Sequence, residues 1–284
     1  MKIFITGGTG FIGSNFINYA TALDIDIVAQ KRLGSGASIP LRNPEKVRWV
    51  CKRLDEDFTD DLRDCDALIH FAAHSVLPPL KPLSECIYWN VYSALKLLEA
   101  ADRAGVKNII IAGSCSEYGL TANDYDKIPP NAQLKPIEAY GLSKAQASEA
   151  CINFAKDKGL KLQVLRIFQA FGDGENDRRF WPSLKKAALN GHDFPMSSGE
   201  QIRDFIHVSK VCKEFLRALN DNTIQCGQPS IRNIGEGEGK SVIDFANLWW
   251  DKFQAKGKLM PGLVELRPGE LRRIVADLSV VDKR

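Results

Sequence analysis

A tyrosine and a lysine four residues apart, Tyr140 and Lys144 in the segment YGLSK, have the types and the spacing for proton transfer. On a helix this spacing places both side chains on one face. A free phenol titrates near pH ~10, too high for a base at neutral pH, and a neighbouring ammonium group lowers the phenol pKa. The pair therefore predicts a general acid or base that exchanges a proton with a carbinol or carbonyl oxygen.

A serine, Ser114, directly follows the apolar run NIIIAG. Ligands of a parallel α/β sheet bind at the carboxyl ends of its strands, so we expect this hydroxyl to hold the same oxygen. By itself the Tyr-Lys spacing is also typical of a surface pair. Its agreement with the serine and with the glycine motif described next favours the catalytic interpretation.

Three glycines with GxxGxxG spacing follow the first apolar run and precede an amphipathic stretch. Glycines at such a junction allow a tight turn and let backbone N–H groups approach a pyrophosphate at a helix N-terminus. The alternative is a glycine-rich turn without a ligand. We predict a dinucleotide site with backbone contacts from Gly7, Gly10, Phe11, Ile12 and Gly13.

The end of the second predicted strand indicates which dinucleotide is bound. A preference for NAD usually shows as a carboxylate there, but this chain has Gln30, Lys31 and Arg32. Two cations suit the additional 2′-phosphate of NADP, so NADP (NADPH) is favoured over NAD. The alternative is that both are solvated loop charges.

Two more positions complete the predicted cofactor site. Asp55 precedes the apolar run that ends in HFAAH, and we expect it to hold the adenine amine. Ala72 directly follows the strand predicted over residues 67–71 and is expected to border the cofactor.

Short β-branched runs alternate with amphipathic stretches through the first two thirds of the chain, which is typical of a parallel sheet. The predicted strands cover residues 2–6, 26–30, 67–71, 108–112 and 161–168, and the predicted helices cover 11–23, 87–104 and 140–158. We predict an α/β fold, a Rossmann-type doubly wound parallel sheet with a smaller C-terminal substrate-binding region. Residues 1–171 form the dinucleotide-binding domain, 202–235 return to it, and 172–284 are mainly substrate-binding and interleaved with it.

Composition narrows the class of protein. The chain of 284 residues has 38 Lys and Arg against 35 Asp and Glu, a net charge of +3 that predicts no nucleic-acid partner. No apolar run reaches the length of a membrane span, and no signal peptide is evident. The seven cysteines lack CxxC spacing, which indicates reduced thiols and no metal site. We therefore expect a cytoplasmic protein that does not bind a membrane.

Several segments, in order along nearly the whole chain, resemble the extended short-chain dehydrogenase/reductase family, which includes nucleotide-sugar epimerases, dehydratases and reductases. They are GGTGFIG, HFAAH, NVYSALKLLEA, GSCSEYG, YGLSK, GEQIRDFIHV and RPGELRRIVAD. The resemblance implies that Tyr140 is the catalytic acid/base, that Lys144 binds the nicotinamide ribose and tunes the tyrosine, and that Ser114 orients the reacting oxygen. Asn90 would be the helix asparagine near the proton relay.

The same resemblance implies a nucleotide-diphosphate sugar as substrate. Arg203 and Arg267 match arginines that grip the diphosphate, and guanidinium groups suit phosphate oxygens. Asn176 lies in the region expected to close over the nucleotide. Gln169 replaces the asparagine of the family pattern RxxNxYG, which puts the recognition of the sugar in doubt. Ser116 completes the predicted substrate-binding set.

Residues 114–116 read Ser-Cys-Ser, where the sugar 4,6-dehydratases have Thr-Asp-Glu, so dehydration is disfavoured. We expect NADPH-dependent reduction of a nucleotide-linked keto-sugar, a 4-keto-6-deoxyhexose. One alternative is a nucleotide-sugar 4-epimerase with bound NAD, and another is a cofactor-binding protein without catalysis. We also expect a homodimer through the helices that carry Asn90 and Tyr140; otherwise both helices only pack on the sheet.

Overall fold

The computed structural model describes residues 1–267 and 269–279. Seven parallel strands form the central sheet in the order β11-β6-β5-β4-β1-β2-β3. The chain runs from the central β1 outward through β2 and β3, then crosses to β4 and continues to the other edge. The strands are β1 Lys2–Thr6, β2 Asp26–Lys31, β3 Val47–Cys51, β4 Ala67–His70, β5 Asn108–Ser114, β6 Lys161–Ile167 and β11 Ser230–Ile234.

Both faces of this sheet are covered, as its nearly continuous apolar strands predict. Ile3 and Ile5 of β1 face a core shared with α1 (Phe11–Thr21) and α7 (Val208–Leu219). Phe4, between them, faces the opposite core, which contains residues of α4 (Ser93–Arg103) and α5 (Ala139–Lys158). Helices on both faces of a parallel sheet confirm the predicted Rossmann-type α/β fold.

The predicted strands and two of the three predicted helices agree with the structure within two residues at each end. The helix predicted over 87–104 is divided instead. It consists of α3 (Leu83–Ile87), a π-helical turn (Tyr88–Tyr92) and α4. Asn90 lies in the π turn, where its side chain bonds to other parts of the chain, and single π turns are often found at functional sites.

Two strands of the sheet, β3 and β11, were not predicted from the sequence. Both lie at edges of the sheet, and their sequences VRWVC and SIRNI mix charged and apolar residues because they are only partly buried. A short run without a clear period carries little signal for a strand.

A second region, rich in aromatic residues, lies beyond β6. It packs around Trp181 and Phe245, from α6 and α8, and Phe171, from β7. Its elements are β7 Gln169–Phe171, α6 Phe180–Leu189, β8 Phe194–Met196, β9 Ile202–Arg203, β10 Phe205–His207, β12 Lys240–Ser241, α8 Val242–Lys252, β13 Leu259–Pro261 and β14 Arg273–Ile274. Short helical segments elsewhere are Pro44–Lys46, α2 Thr59–Leu62, Cys115–Glu117 and Leu120–Asp124.

Residues 202–235 contact both regions. Helix α7 packs on the central sheet and β11 joins it, whereas β9 pairs with β12 and β14, and β10 pairs with β7. The proposed division into two interleaved domains stays a prediction. Within residues 1–267 and 269–279, no helix is both long and apolar enough to cross a membrane.

Candidate active site

A cavity of about 820 Å³ opens at the carboxyl ends of the central strands. Its lining includes Gly7 after β1, Phe71 after β4, Ser114 at the end of β5 and Ile167 at the end of β6. Strands β1 and β4 are neighbours at which the direction of strand order reverses, and ligands of doubly wound sheets bind at such a point.

The glycine turn forms one wall of this cavity, and it has no room for side chains at two positions. Gly7 has a φ of +69°, and a Cβ there would lie 2.6 Å from the Ala72 backbone nitrogen. A Cβ on Gly13 would lie 2.2 Å from the Gly7 carbonyl oxygen. The cavity is lined by all six predicted residues of this wall: Gly7, Gly10, Phe11, Ile12, Gly13 and Ala72.

Ser114 is held at the strand end by a buried carboxylate. Its N–H donates to Glu117 Oε1 at 2.8 Å, and its Oγ accepts the N–H of Ser116 at 3.2 Å. Glu117 is fully buried and its Oε2 accepts from Arg166 Nε at 2.8 Å. We did not select Glu117 from the sequence, although Ser-x-x-Glu is the capping-box pattern that signals this contact.

Tyr140 lines the cavity beside Ser114, and Lys144 lies one turn further along α5. Burial raises the pKa of Tyr140 to about 12, although a hydrogen bond with Ser114 acts in the opposite direction. Lys144 is not among the groups that shift this pKa, so its effect on the phenol stays a prediction.

The Lys144 ammonium is buried and donates to the Ala112 carbonyl oxygen at 2.8 Å. Burial also lowers the pKa of Lys144, because the charged form is poorly solvated. The contact ties α5 to the end of β5, so Tyr140 and Ser114 share one rigid support.

Asn90 is buried between two parts of the site. Its Nδ2 donates to Ser143 Oγ at 2.9 Å and its Oδ1 accepts the N–H of His74 at 2.7 Å. It therefore links the loop after β4 to the helix that carries Tyr140. Asn90 is not among the residues that line the cavity, so its role in the proton relay stays a prediction.

The predicted adenosine end of the cavity is cationic. Lys31 and Arg32 both line it, and so does Arg53, which the sequence analysis did not select. Arg53 donates to the two carboxylate oxygens of Asp55 at 3.1 and 2.9 Å, and Tyr88 donates to the same carboxylate at 2.7 Å. Asp55 is thus bound to protein groups behind the lining, and its contact with adenine stays a prediction.

The opposite end of the cavity contains the predicted substrate-binding side chains. All five line it: Ser116, Gln169, Asn176, Arg203 and Arg267. Arg203 is buried and forms an ion pair with Glu270, whereas Arg267 is exposed. The lining also includes Glu175 and Arg179, which the sequence analysis did not select. Among the described residues, no three His, Cys, Asp or Glu side chains are grouped to hold a metal ion.

A glycine turn at the topological switch point and a tyrosine-serine pair across the same cavity together define a class: enzymes that move a hydride with a nicotinamide dinucleotide. Comparison with known protein families shows to which family within this class the chain belongs. Residues 3–235 match the model of the NAD dependent epimerase/dehydratase family. The chain belongs to this family, which is of the extended short-chain dehydrogenase/reductase type, and it is an NAD(P)-dependent enzyme.

Individual relatives act on nucleotide sugars, as their names state. The UDP-glucose 4-epimerase of Corynebacterium glutamicum is 28% identical over 264 residues, which cover 85% of this chain and 77% of the relative. The structure of UDP-N-acetylglucosamine 4-epimerase from Methanobrevibacter ruminantium M1, in complex with UDP-N-acetylmuramic acid, is 25% identical. It has a TM-score of 0.88 and covers 98% of this chain and 89% of its own.

A second solved structure, MoeE5 in complex with UDP-glucuronic acid and NAD, is 26% identical with a TM-score of 0.83. The alignment covers 98% of this chain and 90% of MoeE5. These relatives favour the epimerase alternative over the reductase that the sequence analysis preferred, and they give no support to NADP over NAD.

Proposed function

We propose that the protein is a nucleotide-sugar 4-epimerase that works with a bound nicotinamide dinucleotide. The observation that carries the proposal is the placement of Tyr140 and Ser114 in one cavity, between the glycine turn and the arginines Arg203 and Arg267. The named activities of the relatives support it. Epimerisation is neutral in redox terms, because the hydride removed from the sugar carbon is returned to the same carbon on its other face.

The residues present fit such a cofactor. Gly7 and Gly13 both line the cavity at positions where no Cβ fits, and α1 begins between them at Phe11. A pyrophosphate is favoured at such a helix N-terminus. When bound, the dinucleotide supplies hydride transfer.

The side chains of the cavity and of α5 have separate roles in the proposed reaction. Tyr140 exchanges the proton of the reacting sugar oxygen, and Ser114 holds that oxygen through its hydroxyl. Lys144 is not among the residues that line the cavity, but its ammonium keeps N–H donors beyond the one used on Ala112, which suits the hydroxyls of a nicotinamide ribose. Arg203 and Arg267 bind the diphosphate of the nucleotide sugar.

Dehydration is not supported at this site. The position next to Ser114 is Cys115, and burial raises the pKa of its thiol to about 11. A neutral thiol replaces the carboxylic acid that water elimination needs, and Ser116 follows it.

A second candidate is the NADPH-dependent reduction of a nucleotide-linked 4-keto-6-deoxyhexose. One observation favours it: Lys31, Arg32 and Arg53 all line the same end of the cavity. A phosphate on the adenosine ribose would be stabilised there, and a reductase consumes NADPH.

One experiment separates the two candidates. The purified protein is incubated with UDP-glucose and UDP-N-acetylglucosamine, and C4 inversion is followed by NMR. In parallel, nicotinamide absorbance is followed with NADPH and nucleotide-linked 4-keto-6-deoxyhexoses. We expect inversion without net change of the nicotinamide, and its loss in Tyr140→Phe. Stoichiometric oxidation of NADPH without inversion would instead establish the reductase.

We further propose a homodimer through the face of the helices that carry Asn90 and Tyr140. Two aromatic side chains of the π turn, Tyr88 and Tyr92, are stacked and exposed beside α4, which supports this face. Light scattering during gel filtration tests it: a monomer mass for the wild type refutes the dimer. The cytoplasmic location also remains a proposal.

A further inference from the structure

We propose that Glu175 is a ligand-binding residue of this cavity, where its carboxylate accepts a hydrogen bond from a hexose hydroxyl of the bound nucleotide sugar. The inference rests on the proposed function for the class of ligand. Glu175 lines the cavity, and its Oε2 is buried with no hydrogen-bond partner among the described residues.

The loop that carries Glu175, residues 172–176 with the sequence GDGEN, is held against the dinucleotide-binding domain. Asn15 of α1 donates through Nδ2 to the Asp173 carbonyl oxygen at 2.9 Å. Gly174, with a φ of +89°, lies so close to Ile39 that a Cβ would be 2.7 Å from its side chain. The Glu175 N–H donates to the Gly172 carbonyl oxygen at 3.2 Å. These contacts fix the loop, and the loop in turn positions the Glu175 carboxylate.

The unpartnered carboxylate costs free energy, which a purely structural role does not offset. Burial raises the pKa of Glu175 to about 7, although the charge of Arg179 opposes this. Arg179 also lines the cavity, but its Nη2 donates to the Val76 carbonyl oxygen at 3.0 Å. By contrast Asp173, on the same loop, is exposed and pairs with Lys185 at 2.6 Å. A bound ligand would explain why the Glu175 carboxylate, unlike that of Asp173, has a buried oxygen with no hydrogen-bond partner among the described residues.

The charges around the cavity indicate which ligand group it binds. Arg179, Arg203 and Arg267 suit phosphate oxygens, which carry no proton to donate at neutral pH and repel a carboxylate. A hydroxyl donates to a carboxylate, and such charge-assisted hydrogen bonds are strong. Hydroxyls reach the cavity from two sources, the nucleotide sugar and the ribose of the cofactor, and we assign the contact to the sugar nucleotide's hexose.

The test is a comparison of binding, independent of turnover. Dissociation constants for UDP-glucose, for UDP and for NAD are measured by calorimetry on the wild type, Glu175→Ala, Glu175→Gln and Asp177→Asn. Asp177 directly follows this loop but is exposed and does not line the cavity, so its variant is the matched control. Melting curves show whether each variant is folded, and Glu175→Gln keeps the shape if Glu175→Ala does not fold.

We expect Glu175→Ala to weaken UDP-glucose about tenfold or more while UDP and NAD are unchanged. Glu175→Gln retains an acceptor oxygen and loses less, and Asp177→Asn matches the wild type. An equal loss for UDP and UDP-glucose, a loss for NAD alone, or no loss at all overturns the proposal.

The outcomes also separate this proposal from the proposed function. A selective loss of UDP-glucose affinity in a protein without epimerase activity keeps Glu175 as a ligand-binding residue and refutes the epimerase. A wild type that binds neither UDP-glucose nor NAD overturns both.

Discussion

Glu117 holds Ser114 from inside the protein: its Oε1 accepts the serine N–H at 2.8 Å, and Glu117 itself does not line the cavity that Ser114 lines. The other oxygen of Glu117 accepts from Arg166 at 2.8 Å, and both partners are buried. Glu117 and Ser114 lie three residues apart on one short turn. Disruption of the ion pair between Glu117 and Arg166 would therefore displace Ser114 in the active site.

Removal of the Glu117 carboxylate should therefore destabilise the protein. In Glu117→Ala the buried guanidinium of Arg166 loses its anionic partner and keeps only uncharged acceptors, and we expect the free energy of unfolding to fall by about 3–5 kcal/mol. Urea denaturation measures this. The control is Asp60→Ala, whose exposed ion pair with Arg63 at 3.0 Å should contribute less than about 1 kcal/mol. Equal effects of both variants would contradict the prediction.

Replacement of Tyr140 by phenylalanine should remove catalysis and leave cofactor binding intact. Tyr140 exchanges the proton of the reacting sugar oxygen in the proposed mechanism, so we expect turnover to fall by about 10²–10⁴-fold. Steady-state rates and dinucleotide titrations measure the two effects. Tyr125→Phe, at an exposed tyrosine outside the cavity lining, is the control and should behave as wild type. A Tyr140→Phe variant with unchanged turnover would refute the acid/base role.

The cationic end of the cavity predicts cofactor selectivity. In the double variant Lys31→Ala/Arg32→Ala we expect NADPH to bind about tenfold more weakly or worse, because two contacts with a 2′-phosphate are lost. NADH, which lacks that phosphate, should be unaffected. Fluorescence titration compares them, with Arg42→Ala as an exposed cation outside the lining. An equal loss of affinity for NADPH and NADH would show that Lys31 and Arg32 do not recognise the 2′-phosphate.

The ion pair of Arg203 with Glu270 predicts competition for the guanidinium group. Both residues line the cavity, so a diphosphate that binds Arg203 competes with the carboxylate for the guanidinium N–H donors. In Glu270→Gln we expect UDP-glucose to bind about threefold more tightly, a modest gain because Glu270 is partly exposed. Calorimetry measures it, and Glu265→Gln, an exposed carboxylate in the same segment, is the control. Weaker binding in Glu270→Gln would mean that Glu270 orients Arg203 for the ligand.

Glu175 predicts a pH dependence of stability. Burial raises the pKa of Glu175 from its ordinary value of 4.5 to about 7. Between these values the folded state holds a proton that the unfolded state has lost, so the free energy of unfolding falls as pH rises. The total is no more than about 3.4 kcal/mol, and it levels off about one pH unit above the folded pKa.

Melting temperatures across this range test the effect by comparison with Glu175→Gln, which does not titrate. The comparison is needed because burial lowers the pKa of His70 to about 3, which gives the opposite slope in both proteins. Parallel curves for the two proteins would contradict the assignment.

Patterns of neighbouring residues along the chain were enough to predict much of the fold and of the site of this enzyme. The glycine spacing of residues 7–13 and the helical spacing of Tyr140 and Lys144 each lie within one turn or one helix, and apolar runs marked five of the seven sheet strands. Such features depend on neighbours in sequence, so patterns of residue type reveal them. The two edge strands escaped because partial burial leaves no clear period.

Only the tertiary structure decided the properties that depend on distant elements. Burial raises the pKa of Tyr140, and that burial depends on how the rest of the chain packs around the phenol. Arg203 and Glu270 are 67 residues apart, and Glu117 reaches Arg166 across 49. Solvation and long-range pairing are properties of packed surfaces, so no spacing along the chain encodes them directly.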